Sequence, residues 1–300
     1  MRKGTSRLLP RFSRCTDRAA AFLMTRRDIA IIREVNRHRL LRSSEISRLV
    51  GGSHQQVLRR LQRLFHHGYL DRPRAQLNSM LTGGSQAIVY ALGRKGARLL
   101  ADEGTLPPRH DNFRLHHPYL EHTTAVAEFM VSLEQGLKEH PDARLISEEA
   151  LADRVSLRDP FLMNVKVGSQ RVGLRPDRMF ALEKVSSGES LLCCLELDRG
   201  TMPVRRRTLA RSSFQRKLLT YESAWRQQLH HTRFGYERLR VLTVTSSEQR
   251  LRNLIEECRK LDSGHGLFLF ATKETVKASS PLECDWHGVD DDTPVRLLPF

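Results

Sequence analysis

The chain has 300 residues, 39% of them hydrophobic, which is enough for two domains with real cores. Its formal net charge is +16, and residues 1–110 hold 22 Lys/Arg against 7 Asp/Glu, so nearly all of the excess sits at the front. No apolar run approaches the roughly 18 residues that span a bilayer, and solubility alone needs no such asymmetry, so the pattern points to a polyanionic partner.

Residues 1–23 begin M-R-K-G-T-S-R-L-L-P-R-F-S-R and read as a basic arm able to follow DNA. The apolar stretch 19–24 is too short for the core of a signal peptide. Residues 25–39 carry a helical start signal and apolar residues at Ile29, Ile32 and Val35. Residues 43–50 (S-S-E-I-S-R-L-V) make a two-turn helix closed by Gly51-Gly52. Residues 53–68 (S-H-Q-Q-V-L-R-R-L-Q-R-L-F-H-H-G) form a third helix of about four turns, with Ser53 at its start and Gly68 at its stop.

On that third helix Val57, Leu58, Leu61, Leu64 and Phe65 share one face. Gln55, Gln56, Arg59, Gln62 and Arg63 take the other, with no acid among them. Glutamine and arginine make bidentate hydrogen bonds to adenine and guanine edges, and arginine also neutralises phosphate. Taken alone, the segment could equally be a solvated surface helix. Its neighbours shift the balance, because helix, helix, glycine turn, helix is the order of a helix-turn-helix.

Residues 68–73 read as a strand entering a turn, residues 87–92 as the returning strand and residues 95–100 as a closing helix. The Gly/Ser/Asn-rich tip with Arg72 and Arg74 suits a wing over a phosphate backbone, and Lys95 joins the DNA-contact candidates. The run Y-A-L-G-R-K-G-A-R-L-L resembles the segment that ends many winged-helix regulators of the MarR and PadR kind. Residues 24–108 are therefore expected to be a winged helix-turn-helix domain that binds double-stranded DNA, with Ser53 added to the helix residues above.

Pro107-Pro108 and Pro118 mark a linker. His110, His116, His117 and His122 near it lack metal-ligand spacing. Cys15, Cys193, Cys194, Cys258 and Cys284 are scattered without a C-x-x-C, which suits reduced thiols rather than zinc.

Residues 109–300 follow a different pattern. Helices are expected over 119–140, 208–230 and 248–261, and strands over 171–182, 191–197, 239–245 and 266–271, with a hairpin turn at Ser186-Ser187-Gly188. That order implies a mixed sheet covered by helices, and α+β for the whole chain. Asp177 follows Pro176 at the start of a strand, and Glu196 and Asp198 alternate with Leu195 and Leu197, so both point to one face of the sheet. Converging carboxylates repel unless a cation neutralises them. A divalent metal would do so, as would pairing with Arg178, Arg199 or Arg205.

P-D followed by E-L-D resembles the PD-(D/E)xK nuclease superfamily, and its pairing with a winged helix, with E-L-D-R-G-T and a later K-x-x-x-Y, resembles the replication-relaxation family of plasmids and mobile elements. The resemblance implies that Asp177 and Glu196 are metal-binding acids for Mg²⁺ or Mn²⁺, with Glu128 a weaker candidate for an additional acid. The lysine of that motif is here Asp198, which cannot supply positive charge; Lys217, four residues before Tyr221, could do so from the next helix.

Two readings stay open. One is a nuclease-like protein, with Asp177, Glu196 and Asp198 holding the metal and Lys217 assisting, that acts at replication initiation or mobilisation. The other is a non-catalytic regulator or replication accessory with a degenerate nuclease fold. Expected partners are double-stranded DNA, a second copy of the chain and a replication or transfer protein of the same element, in a cytoplasmic, nucleoid-associated setting without a membrane.

Overall fold

The structure, a computed structural model, describes residues 11–15, 22–77, 87–104, 112, 115–206, 212–290 and 293–298. It divides into two compact units, Met1–Val131 and Ser132–Phe300, and the division falls inside one long helix. The class is α+β.

In the first unit, Thr25 starts helix α1 (Arg26–His38) with a capping box. Its hydroxyl accepts the Asp28 N–H, and the Asp28 carboxylate accepts the Thr25 N–H at 2.7 Å. Ile31, Ile32 and Val35 are buried. Arg39, at φ 69°, turns the chain out of the helix into β1 (Leu40–Arg42), a strand too short for periodicity to reveal. Helix α2 (Ser43–Val50) starts where the Glu45 carboxylate accepts the Arg42 N–H at 2.6 Å.

Gly51 and Gly52, both at positive φ, carry the turn into α3 (His54–His66). Gly68 closes that helix: its N–H bonds to the Phe65 carbonyl and the Tyr69 N–H to that of Leu64, the paired bonds of a Schellman stop. Strands β2 (Leu70–Asp71) and β3 (Val89–Leu92), then α4 (Arg94–Asp102), complete the set. The antiparallel sheet runs β1-β3-β2, pairing Leu41 with Tyr90 and Leu70 with Leu92. Leu61, Leu64, Leu70 and Leu100 fill the core with Ala127 and Val131 from α5 (His117–Leu137), which is why the unit extends into that helix. The expected wing tip falls in residues 78–86, outside the described residues.

The second unit is built on a five-stranded sheet in the order β10-β9-β8-β7-β4. Its strands are β4 (Ala143–Ile146), β7 (Arg178–Lys184), β8 (Ser190–Leu197), β9 (Leu239–Thr245) and β10 (Phe268–Thr272). Pairs β8–β9 and β9–β10 are parallel, while β7–β8 and β4–β7 are antiparallel. The expected single strand over 171–182 is two. Pro176 has no N–H to give a ladder, so β6 (Gln170–Leu174) ends before it and pairs with β5 (Met163–Val167), while β7 starts after it.

Helices α6 (Glu148–Ala152), α7 (Phe214–Arg226), α8 (Leu229–Phe234), α9 (Glu248–Cys258) and α10 (Lys273–Ala278) complete the unit among the described residues. The expected helix over 208–230 is interrupted because Gln228 is left-handed (φ 54°) between α7 and α8. Cys194, Leu218, Tyr221, Val241, Leu254 and Phe270 belong to the core between sheet and helices.

The glycines of the Y-A-L-G-R-K-G segment are needed for docking α4. A Cβ at Gly93 would stand 2.5 Å from the Gly68 carbonyl oxygen, and one at Gly96 2.4 Å from that of Tyr69. Gly96→Ala is expected to cost about 1–3 kcal/mol, as overpacking against backbone does, read as a lowered urea midpoint. An unchanged midpoint would mean that α4 does not dock this way.

Candidate nucleic-acid interface and carboxylate cluster

Helix α3 buries Val57, Leu61, Leu64 and Phe65 and leaves Gln55, Gln56, Arg59 and Arg63 exposed, with Gln62 half-buried. Leu58, expected on the buried face, is 36% exposed, because it lies at the edge of the apolar face, beside the polar arc. No carboxylate pairs with Arg59 or Arg63 among the described residues. These two arginines, with Arg26, Arg27, Gln56 and Arg60, line an open groove of about 500 Å³.

Arg60 has a separate task. It donates from Nε to Asp28 Oδ1 at 2.8 Å, from Nη2 to Asp28 Oδ2 and to the Leu23 carbonyl, and its guanidinium stacks on Phe22. Burial pushes the Asp28 carboxyl up, but Arg60 and the two Thr25 donors outweigh it and hold the group below the usual carboxylate range. The pair ties α3 to the first turn of α1.

The other DNA-contact candidates divide. Ser53 is the exposed N-cap of α3, and its hydroxyl makes no capping bond. Arg74 and Lys95 are exposed. Arg72 is a correction, because it is buried. Its Nη2 donates to the Tyr90 hydroxyl at 2.9 Å and its Nη1 to the Arg11 carbonyl, with the guanidinium 4.3 Å from the centre of the Phe65 ring. Two aromatic faces and two oxygens hold it inside, away from any phosphate.

Of the basic arm, residues 11–15 and 22–23 are described, and both stretches pack on the first unit. Arg14 donates to the Phe65 carbonyl at 3.1 Å and pairs with Asp71, so that guanidinium is engaged internally. Arg26, Arg27 and Arg60 were missed from sequence. Two cations in the first turn of a helix, against its dipole, were the available signal for the first two.

In the second unit, Asp177 stands where β7 begins. Its N–H bonds to the Leu195 carbonyl at 3.0 Å, and its Oδ2 accepts the Leu197 N–H at 2.8 Å. Glu196, on neighbouring β8, is 2% exposed. Its Oε2 accepts from Lys217 Nζ at 2.5 Å and its Oε1 from the Tyr221 hydroxyl at 2.6 Å. Lys217 and Tyr221 are one turn apart on α7, so a single helix face brings both to one carboxylate.

Burial raises the Glu196 carboxyl, and Asp177 raises it further against the pull of Lys217. Burial alone would lower the Lys217 ammonium, but Glu196 and Asp177 outweigh it and raise the group. Burial and Glu196 together hold the Tyr221 hydroxyl protonated.

Asp198 does not join this cluster. Arg250 on α9 meets it with Nε–Oδ2 at 2.8 Å and Nη2–Oδ1 at 3.1 Å, and Thr245 donates to Oδ2 at 2.9 Å. An aspartate closed by a bidentate arginine is a structural tie, so the expected catalytic and metal-binding role of Asp198 is corrected. Among the described residues, Asp177, Glu196 and Asp198 do not bring three ligand atoms within 4.8 Å of one another. Glu128 lies in the first unit, 3.5 Å from Arg42. Arg178 pairs with Glu148 at 2.6 Å.

The fold is thus a two-unit α+β protein with a basic, glutamine-bearing helix in one unit and a Lys-neutralised carboxylate pair in the other. The replication-relaxation family model matches residues 32–237, and the chain belongs to that family. Membership suggests a role in replication or relaxation of mobile elements. Neither the curated proteins nor the solved structures contain a match to the chain. Among the described residues no helix is long and apolar enough to cross a membrane.

Removing Lys217 tests the cluster. The raised Glu196 carboxyl means that the folded chain binds more protons than the unfolded one above the ordinary carboxylate pKa, so this group contributes less stability as pH rises. Lys217→Met extends that window upward. The expected loss is about 1–3 kcal/mol, below the range for a fully buried pair because Lys217 is 32% exposed. Urea melts should show a larger loss at pH 8 than at pH 5, and an equal loss at both would refute the assignment.

Proposed function

We propose that this chain is a sequence-specific double-stranded-DNA-binding protein acting in replication initiation or mobilisation of a plasmid or other mobile element. In this reading residues 24–108 form a winged helix-turn-helix whose α3 enters the major groove, and residues 109–300 form a PD-(D/E)xK-like domain. The observation that carries it is the exposed face of α3, where Gln55, Gln56, Arg59 and Arg63 present base-reading and phosphate-neutralising groups without acidic partners. Ser53, Gln62, Arg74 and Lys95 extend that surface, and exposed Leu58 suits a thymine methyl group.

Strand cleavage is the further part of the proposal. Asp177, where β7 begins, and Glu196, on the adjacent β8, have the donor chemistry of a hard-cation site. They would hold Mg²⁺ or Mn²⁺, which supplies positive charge against a scissile phosphate when bound. Lys217 brings an ammonium from α7, in place of the motif lysine whose position Asp198 occupies. Tyr221 orients Glu196.

A second reading, a non-catalytic regulator or replication accessory, is favoured by the same contacts, because Lys217 and Tyr221 already occupy both oxygens of Glu196. The proposed setting is cytoplasmic and nucleoid-associated, with a second copy of the chain and a replication or transfer protein as further partners.

Supercoiled plasmid incubated with Mg²⁺ or Mn²⁺ separates the readings. Cleavage requires nicking by the unaltered chain that Asp177→Ala abolishes; no nicking, or equal nicking by the variant, leaves the accessory reading. For DNA binding, Arg59→Ala and Arg63→Ala should each weaken affinity for a selected duplex by about 1–3 kcal/mol in gel-shift titration. Unchanged affinity would mean that α3 does not read bases.

A further inference from the structure

Arg26 and Arg27 occupy the first two positions of α1, where a cation faces the positive end of the helix dipole. Both are exposed, and among the described residues neither is paired with a carboxylate. They flank the groove whose other wall carries Arg59 and Arg63 of α3. Arg60, engaged with buried Asp28, joins the two walls. The Arg27 guanidinium lies over the glycine turn that precedes α3. A Cβ at Gly52 would stand 3.1 Å from Arg27 Nη2, and Gly52 holds φ +83°, a conformation that favours glycine.

Four guanidiniums without acidic partners among the described residues, two of them placed against a helix dipole, concentrate positive charge in one groove. The groove runs along the Gln56 and Arg63 flank of α3, away from the flank that carries Leu58. We propose that it is a clamp for the DNA backbone, in which Arg26 and Arg27 hold phosphate and set how deeply α3 lies in the major groove. The inference rests on the DNA-binding reading above and adds two residues and a division of labour to it. Arg26 and Arg27 position without reading sequence, whereas Arg59 and Arg63 reach bases from the opposite wall.

Phosphate ligands and base readers differ in salt dependence. The test uses the full chain in fluorescence-anisotropy titrations over a salt series. The probes are a labelled mixed-sequence 30-base-pair duplex and a duplex enriched by the chain from a randomised pool. The double variant Arg26→Ala/Arg27→Ala should lower the slope of log affinity against log salt by about 2 on both duplexes, with the preference for the enriched duplex unchanged. Arg26→Lys/Arg27→Lys should restore the slope, since it keeps the charge.

An unchanged slope in the double alanine variant, with its thermal melt intact, overturns the clamp and leaves the DNA-binding reading standing. A tenfold or greater fall in preference would make the two residues base readers and also overturns the clamp. Failure of the unaltered chain to bind either duplex overturns both.

Discussion

A carboxylate removed from water has to be met by a cation or by several donors, and this constraint recurs through both units of the molecule. Asp28, Glu45, Glu196 and Asp198 are all buried, and each is answered by a basic side chain: Arg60, Arg42, Lys217 and Arg250. Three of these pairs join separate elements. Arg60 fastens α3 to α1, Lys217 fastens α7 to β8, and Arg250 fastens α9 to the end of β8. Such pairs contribute little net stability compared with a well-packed apolar substitute, but leaving one partner alone is costly, so they specify which elements meet.

The same matching identifies the charges that have no internal task. In the first unit Arg14 is engaged by Asp71, Arg33 by Glu103 and Arg60 by Asp28, while Arg72 is enclosed between aromatic rings. What is left among the described residues includes Arg26, Arg27, Arg59 and Arg63 beside the glutamines of α3, together with exposed Arg48, Arg74, Arg94, Lys95 and Arg98. A surplus of +15 over residues 1–110 would by itself say only that a polyanion is welcome. The internal pairs narrow that total, because they remove the arginines that hold the fold together.

In the second unit the carboxylate cluster draws its cation from a helix rather than from its own strand. The position two residues after Glu196 holds an acid that serves the scaffold, and an ammonium reaches Glu196 from a helix instead. The site therefore joins Asp177, Glu196, Lys217 and Tyr221, four residues spread over 45 positions that only the β7–β8 hairpin and α7 bring together.

Much of the secondary structure was legible because periodicity and capping are local. The third helix with its glycine stop, the hairpin at Ser186-Ser187-Gly188 and the strand over 239–245 could be read from spacing alone; alternation singled out the strand acids, while Lys217 was reached only through the family resemblance. What spacing could not supply was any fact about partners. Alternation put Asp198 on the face of Glu196, yet Arg250, 52 residues away, takes it for the scaffold. Arg72 looked like a wing residue until Tyr90 and Phe65 closed around it. Leu58 matched the apolar face by angle, but it stays 36% exposed at the edge of that face. A sequence determines which face of an element is apolar and where its chain must stop; only the packed structure decides which charges neutralise one another, because that depends on distances between residues far apart along the chain.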